Sequence, residues 1–248
     1  VIIKIGVDAV NTGINVYNCG KALTPKAPKK QQVCPVNSFD PNEKIGPSNF
    51  QNLGHDFNYA VYFENVETAS AAAQQVLIFD TLDINTLDVN SFEFGGIGFG
   101  SIFRANTAID KSHLNIEIDL RPEKDLILGV KGEVNLETGV ATWQFTSLDP
   151  ATMQLTEDPI LGFLDPNDDS GRGQGFVQYN IAPRGTLQTG DSISNSATII
   201  FDYNSPIVTN TWTNTIDLVA PVSAVVGLPD ETNQPGFNVN WNGADWHY

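Results

Sequence analysis

The sequence predicts an all-β protein, an immunoglobulin-like β-sandwich with insertions, and three observations predict it. Apolar residues recur with a period of two and hardly anywhere with the 3.6-residue period of a helix. The runs that alternate are short, rich in β-branched and aromatic residues, and bounded by Gly, Pro, Asn and Asp. They repeat at near-regular spacing through most of the 248 residues, as the strands of a sandwich do.

The elements follow in order. Val1 to Val10 alternates, with Ile3, Ile5, Val7 and Ala9 on one face and Lys4, Gly6 and Asp8 on the other. That pattern is a strand with one apolar face. A loop follows between Cys19 and Cys34, holding Gly20, Pro25, Pro28 and the lysines 21, 26, 29 and 30. Composition changes sharply at Phe39-Asp40-Pro41-Asn42-Glu43-Lys44. Strands are then expected at Phe57 to Asn65, Gln75 to Asp80, Leu114 to Leu120, Leu126 to Val134, Val140 to Phe145, Gly175 to Ile181, Ser192 to Asp202 and Ile207 to Thr213. Glu137-Thr138-Gly139 reads as the turn of a hairpin. Glu67 to Gln75, with its alanines, is the best candidate for a short helix. Gly95 to Gly100 resembles a nucleotide loop only superficially, for no Lys-Ser/Thr follows; it reads as a turn or a closely packed strand. Beyond Asp217, a linker precedes two apolar stretches, Ser223 to Leu228 and Phe237 to Trp241. The expected organisation is an N-terminal strand and disulfide loop (1–38) and the sandwich (39–217). Residues 218–248 are a linker with either the start of a second Ig-like domain or C-terminal strands.

Charge narrows the function. Thirteen basic and 29 acidic residues give a net charge of −16, a field that repels nucleic acid and anionic membranes and attracts cations. Residues 1–38 oppose this trend with five lysines and one aspartate. No apolar run approaches the ~20 residues that span a bilayer as a helix. Val1 follows no initiator Met and no leader, so the sequence reads as a mature or excised fragment. Cys19 and Cys34 lack the spacing of a zinc site. They are expected to form a disulfide in an oxidising compartment, the alternative being two buried thiols. Catalytic constellations are missing: His55, His113 and His247 share no metal-ligand spacing, and Ser101 lies in no G-x-S-x-G context. The chain is therefore not expected to be an enzyme.

Three stretches carry a resemblance. The first is Phe39 to Pro47; the second is Tyr62-Phe63-Glu64-Asn65 with Ala72 to Asp83. The third is Gly175 to Ile181, Leu187 to Asp191, Ser194 to Ala197 and Ile200 to Asn210. Together they resemble the conserved-repeat Ig-like domains of large secreted bacterial surface proteins, including a subgroup with insertions like Ile97 to Gly100 and Gly162 to Leu164. Ala220 to Trp241 resembles the start of the Ig/fibronectin-like domain that often follows. The resemblance implies a non-catalytic structural or adhesive module at the cell surface or outside the cell. Its implied partners are other domains or subunits of a surface or matrix assembly. Residues 1–38 depart from the family pattern.

Two sites remain as expectations. Asp165, Asn167 and Asp169 alternate oxygen ligands ahead of Gly171 and Gly173, with Asp168 between them and Asp158 nearby. Such a loop can wrap Ca²⁺, although it is no EF-hand. The bland reading is a solvated acidic loop with Arg172 as countercharge. Trp143, Trp212, Trp241 and Trp246 are a candidate glycan platform, but Trp143 and Trp241 also read as core. A third reading makes residues 1–10 an added strand in a neighbouring sheet, giving a filament.

Overall fold

The structure is a computed structural model that describes residues 42–48, 50–227 and 238–245. The chain divides after Asp40, and every described residue belongs to the unit that begins at Pro41. The strand expected at 1–10, the Cys19–Cys34 disulfide, the basic loop and Trp246 lie outside the described residues.

Strands and turns make up the described residues, without a helix. Five strands form the first sheet: β1 (Lys44–Ile45), β3 (Phe57–Glu64), β10 (Gln174–Pro183), β5 (Leu87–Phe99) and β6 (Ile102–Arg104), in that spatial order. Six form the second, ordered β13 (Ile207–Val208), β12 (Ala197–Phe201), β4 (Gln75–Thr81), β9 (Val140–Leu148), β8 (Ile127–Asn135) and β7 (Leu114–Asp119). A third, smaller sheet orders β11 (Ser192–Asn195), β14 (Trp212–Ile216) and β2 (Phe50–Gln51), with β14 and β2 parallel. The two large sheets face each other, because alternation aims one side of each strand inward. Tyr59, Val61 and Phe63 of β3 meet Val76 and Ile78 of β4 and Trp143 and Phe145 of β9 in one core. Rings cross between the sheets: Phe63 lies 5.4 Å from Phe145, and Phe94 lies 5.2 Å from Trp143, both edge-on. The fold is an all-β, immunoglobulin-like sandwich.

Several expectations need correction. Glu67 to Gln75 forms no helix. Ala73 instead pairs with Leu164 across an antiparallel bridge, and burying Ala72 and Ala73 there outweighs the helical propensity of the alanines. Gly95 to Gly100, by contrast, is what was expected, a closely packed strand and a turn: Gly95 to Phe99 lie within β5, and the chain turns at Gly100, where φ is +48°. Ser192 to Asp202 is two strands in different sheets, although Ile193, Asn195, Ala197, Ile199 and Phe201 keep one unbroken buried phase. Ile207 to Thr213 likewise divides into β13 and the start of β14. The hairpin at 137–139 forms as expected: Asn135 Oδ1 accepts from the amides of Glu137 and Thr138, and Gly139 takes a φ of +71°.

Beyond Asp217, β15 (Val222–Val225) and β16 (Trp241–Ala244) pair with each other in a separate two-stranded sheet. Every residue of both strands is exposed.

Candidate functional site

The acidic loop was the first expectation, and its side chains have found local partners. Asp165 Oδ1 accepts from Lys124 Nζ at 2.7 Å, and the same ammonium reaches the carbonyls of Gly162 and Phe163. Asn167 Oδ1 accepts from the Gly173 amide at 3.0 Å. Asp168 accepts from Ser170 and pairs with Arg172 at 3.1 Å. Hydrogen bonds from the Ser170 hydroxyl and amide, then the charge of Arg172, hold the Asp168 carboxyl below its usual range. Asp158 Oδ1 accepts from the Ile160 amide at 3.1 Å, and Asp169 is exposed. Gly173 serves packing, since a Cβ there would collide with the Asn167 backbone nitrogen. Among the described residues no three His, Cys, Asp or Glu side chains are grouped to hold a metal. As arranged, the loop does not fit a calcium cage: an ammonium already pairs with Asp165, Asn167, Asp168 and Asp158 bond to nearby groups, and Asp169 is exposed. Asp165, Lys124 and Arg172 instead line a cleft of about 440 Å³ with Phe99, Ile102 and Phe163.

The described tryptophans, Trp143, Trp212 and Trp241, do not form a platform. Trp143 is fully buried among Phe92, Phe94 and Tyr179. Trp212 is half-buried and donates its Nε1 hydrogen to Pro47 O. Trp241, expected in a core, is 69% exposed on the separate hairpin. A different aromatic strip runs across the five-stranded sheet, where Phe176 lies 5.8 Å from Tyr62 and 6.2 Å from Phe103. Gly98 makes room for it: a Cβ there would run into the Phe176 ring.

The densest polar chemistry is inside the sandwich. Lys44 of β1 and Asp80 of β4 are both 0% exposed, and Lys44 Nζ directly contacts Asp80 Oδ2. Tyr179 of β10 completes a triangle: its hydroxyl accepts from Lys44 Nζ at 2.9 Å and donates to Asp80 Oδ2 at 2.9 Å. Asn195 Nδ2 donates to the same hydroxyl at 3.0 Å. Nζ also lies 5.0 Å from the ring centres of Tyr59 and Tyr179. The Tyr59 hydroxyl donates to Asn214 Oδ1 at 3.1 Å, and Asn214 Nδ2 donates to the carbonyls of Pro47 and Ser48. Asn210 embraces the Lys44 backbone, accepting from its amide and donating to its carbonyl. Asp80 Oδ1 and Asn195 Oδ1 are buried without a hydrogen-bond partner. Burial lowers the Lys44 pKa, against the opposing pull of Asp80. Burial first, then the Asp80 charge, raises both Tyr59 and Tyr179.

This cluster draws on all three sheets, and sequence reasoning missed it as a site. The signal was present. Asp80 is in phase with the core residues Val76 and Ile78, Tyr179 with Val177 and Ile181, and Asn195 with Ile193 and Ala197. A polar residue in the buried phase of a strand needs a buried partner. The three stretches that carry the family resemblance supply Lys44, Asp80, Tyr179, Asn195 and Asn210.

Residues 160–215 match the model of a domain of unknown function (DUF7619). No curated protein matches the chain. Among solved structures, a collagen-binding domain from a Staphylococcus aureus adhesin is 11% identical, with 73% of this chain and 99% of that one covered and a TM-score of 0.36. The pilus 2b backbone protein of group B streptococcus is 16% identical, with coverage of 73% and 58% and a TM-score of 0.42. The C-terminal domain of the Streptococcus agalactiae AgI/II polypeptide BspA is 12% identical, with coverage of 70% and 49% and a TM-score of 0.38. Likenesses this distant say nothing about ligand or assembly.

Proposed function

We propose that the chain is a non-catalytic structural or adhesive module of a larger surface or matrix protein outside the cell. One observation carries this reading. The cluster richest in titratable groups, centred on Lys44 and Asp80, is sealed from solvent and bridges the sheets, so it holds strands together and admits no substrate. The acidic surface suits a secreted module that must stay soluble. The resemblance to conserved-repeat surface domains belongs to the same reading, as does the filament alternative through residues 1–10. To test it, the full chain is immobilised under flow against fibrous-protein and polysaccharide surfaces and incubated in parallel with peptide, ester and glycoside substrates. Retention without turnover is expected. Turnover that survives repurification and vanishes with one carboxylate variant contradicts the reading.

A second reading, a glycan-binding module, draws on the strip of Tyr62, Phe176 and Phe103, whose last ring is 54% exposed. Rings in a row can stack on sugars, and they also shield a glycine-rich strand. Retardation in polysaccharide gels that Phe103→Ala abolishes would favour the glycan; equal mobility of both proteins would leave shielding as the ring's role.

Calcium stabilisation at Asp165–Asp169 is a separate proposal with a steep requirement: Asp165 must leave Lys124, and Asp168 must leave Ser170 and Arg172. The geometry found here predicts equal melting temperatures in EDTA and in millimolar Ca²⁺. A rise with Ca²⁺ that Asp165→Ala with Asp169→Ala abolishes would restore the site.

A further inference from the structure

We propose that Lys44 and Asp80 condense into an intramolecular amide that ties the two large sheets covalently. The reacting groups already touch: Lys44 Nζ contacts Asp80 Oδ2, one bond from the carbon it would attack, and neither side chain has any exposure. As an ion pair the arrangement is costly, because two charges have left water and one carboxylate oxygen, Oδ1, has no donor. Condensation removes both charges and the unpartnered oxygen together.

The surroundings suit each part of the step. Burial favours the neutral amine, the form with a lone pair to give. The rings of Tyr59 and Tyr179 flank Nζ and keep its position fixed. The Tyr179 hydroxyl donates to Oδ2 at 2.9 Å, where negative charge builds as the amine adds to Cγ. Tyr179 is held for this by Asn195 Nδ2, which donates to the hydroxyl oxygen. A fixed contact replaces a bimolecular encounter, which raises the effective concentration of the amine enormously.

The atoms balance without a co-reactant. The ammonium passes one proton to the carboxylate, leaving amine and carboxylic acid. Nζ bonds to Cγ, Nζ gives up a second proton, and the Cγ–Oδ1 bond breaks. Oδ1 leaves with those two protons as water. Oδ2 remains as the amide carbonyl and keeps its hydrogen bond from Tyr179. Hydrolysis would need water to return to a site with no exposure, so the product persists in the folded chain.

The test is the intact mass of the wild-type 248-residue chain, denatured and fully reduced so that the cysteines contribute thiols. The expected mass is one water below that of the sequence. Digestion should release a branched peptide joining the Lys44 and Asp80 segments, and Lys44→Arg should return the full mass. The wild-type measurement stands even where that variant fails to fold. A wild-type chain at full sequence mass overturns the proposal. So does loss of water without a branched peptide, which marks a backbone imide. Loss of one ammonia with a branch at Asn195 also overturns it, because the acyl donor is then the asparagine.

Discussion

Removing the Asp80 carboxylate leaves the Lys44 amine buried opposite Tyr179 with its main partner gone. Removing one partner of a buried pair of this kind typically costs about 3–5 kcal/mol. Asp80→Ala should lower the denaturant midpoint of the full chain accordingly, and a midpoint equal to wild type would refute the role given to the pair. Asp202 has a more local task. It adopts a φ of +48°, and its Oδ1 accepts from the amides of Gln74 and Gln75 at 3.0 and 2.8 Å. Asn tolerates the left-handed region and retains an acceptor, whereas Ala does neither. Asp202→Asn should unfold near the wild-type midpoint, and Asp202→Ala should lose about 1–3 kcal/mol. Equal losses for both would show that the carboxylate charge, not the geometry, matters.

Among the elements, β5 shows most plainly what alternation can hide. Its glycines look like punctuation, yet Gly98 lies within the strand beneath the Phe176 ring. Gly98→Ala would push a Cβ into that ring, for which overpacking costs of about 1–3 kcal/mol are typical. A lowered midpoint with altered near-ultraviolet dichroism is expected; an unchanged spectrum and midpoint would mean that the ring moves freely. The strands β4, β7, β8, β9 and β10 were legible because each keeps one alternating face in the core, and β3 does the same apart from its buried Ala60. β5 was not, because its pairing with β10 slips register twice, and the buried phase shifts between Val89 and Phe92. The split between β11 and β12 was hidden for the opposite reason: the phase never breaks while the chain changes sheets. The acidic loop was legible as acidic, but its partner Lys124 lies 41 residues from Asp165, and no local pattern announces that pairing. The Lys44 cluster was written as polar residues in core phase, and only the fold shows that they meet.

At the scale of the molecule, apolar packing joins the two large sheets among the described residues, and at Lys44 and Asp80 charged groups join them as well. In a module that transmits tension, a tie between β1 and β4 would keep the segment between them from extending. If the tie is covalent, the 36-residue separation between Lys44 and Asp80 is closed to extension. At about 3.6 Å per residue that segment amounts to roughly 130 Å of chain. The most direct measurement is single-molecule pulling on the full chain by its ends, with Lys44→Arg as comparison. The account predicts that complete unfolding releases about 130 Å less length from the wild type than from the variant. Equal released lengths would contradict it.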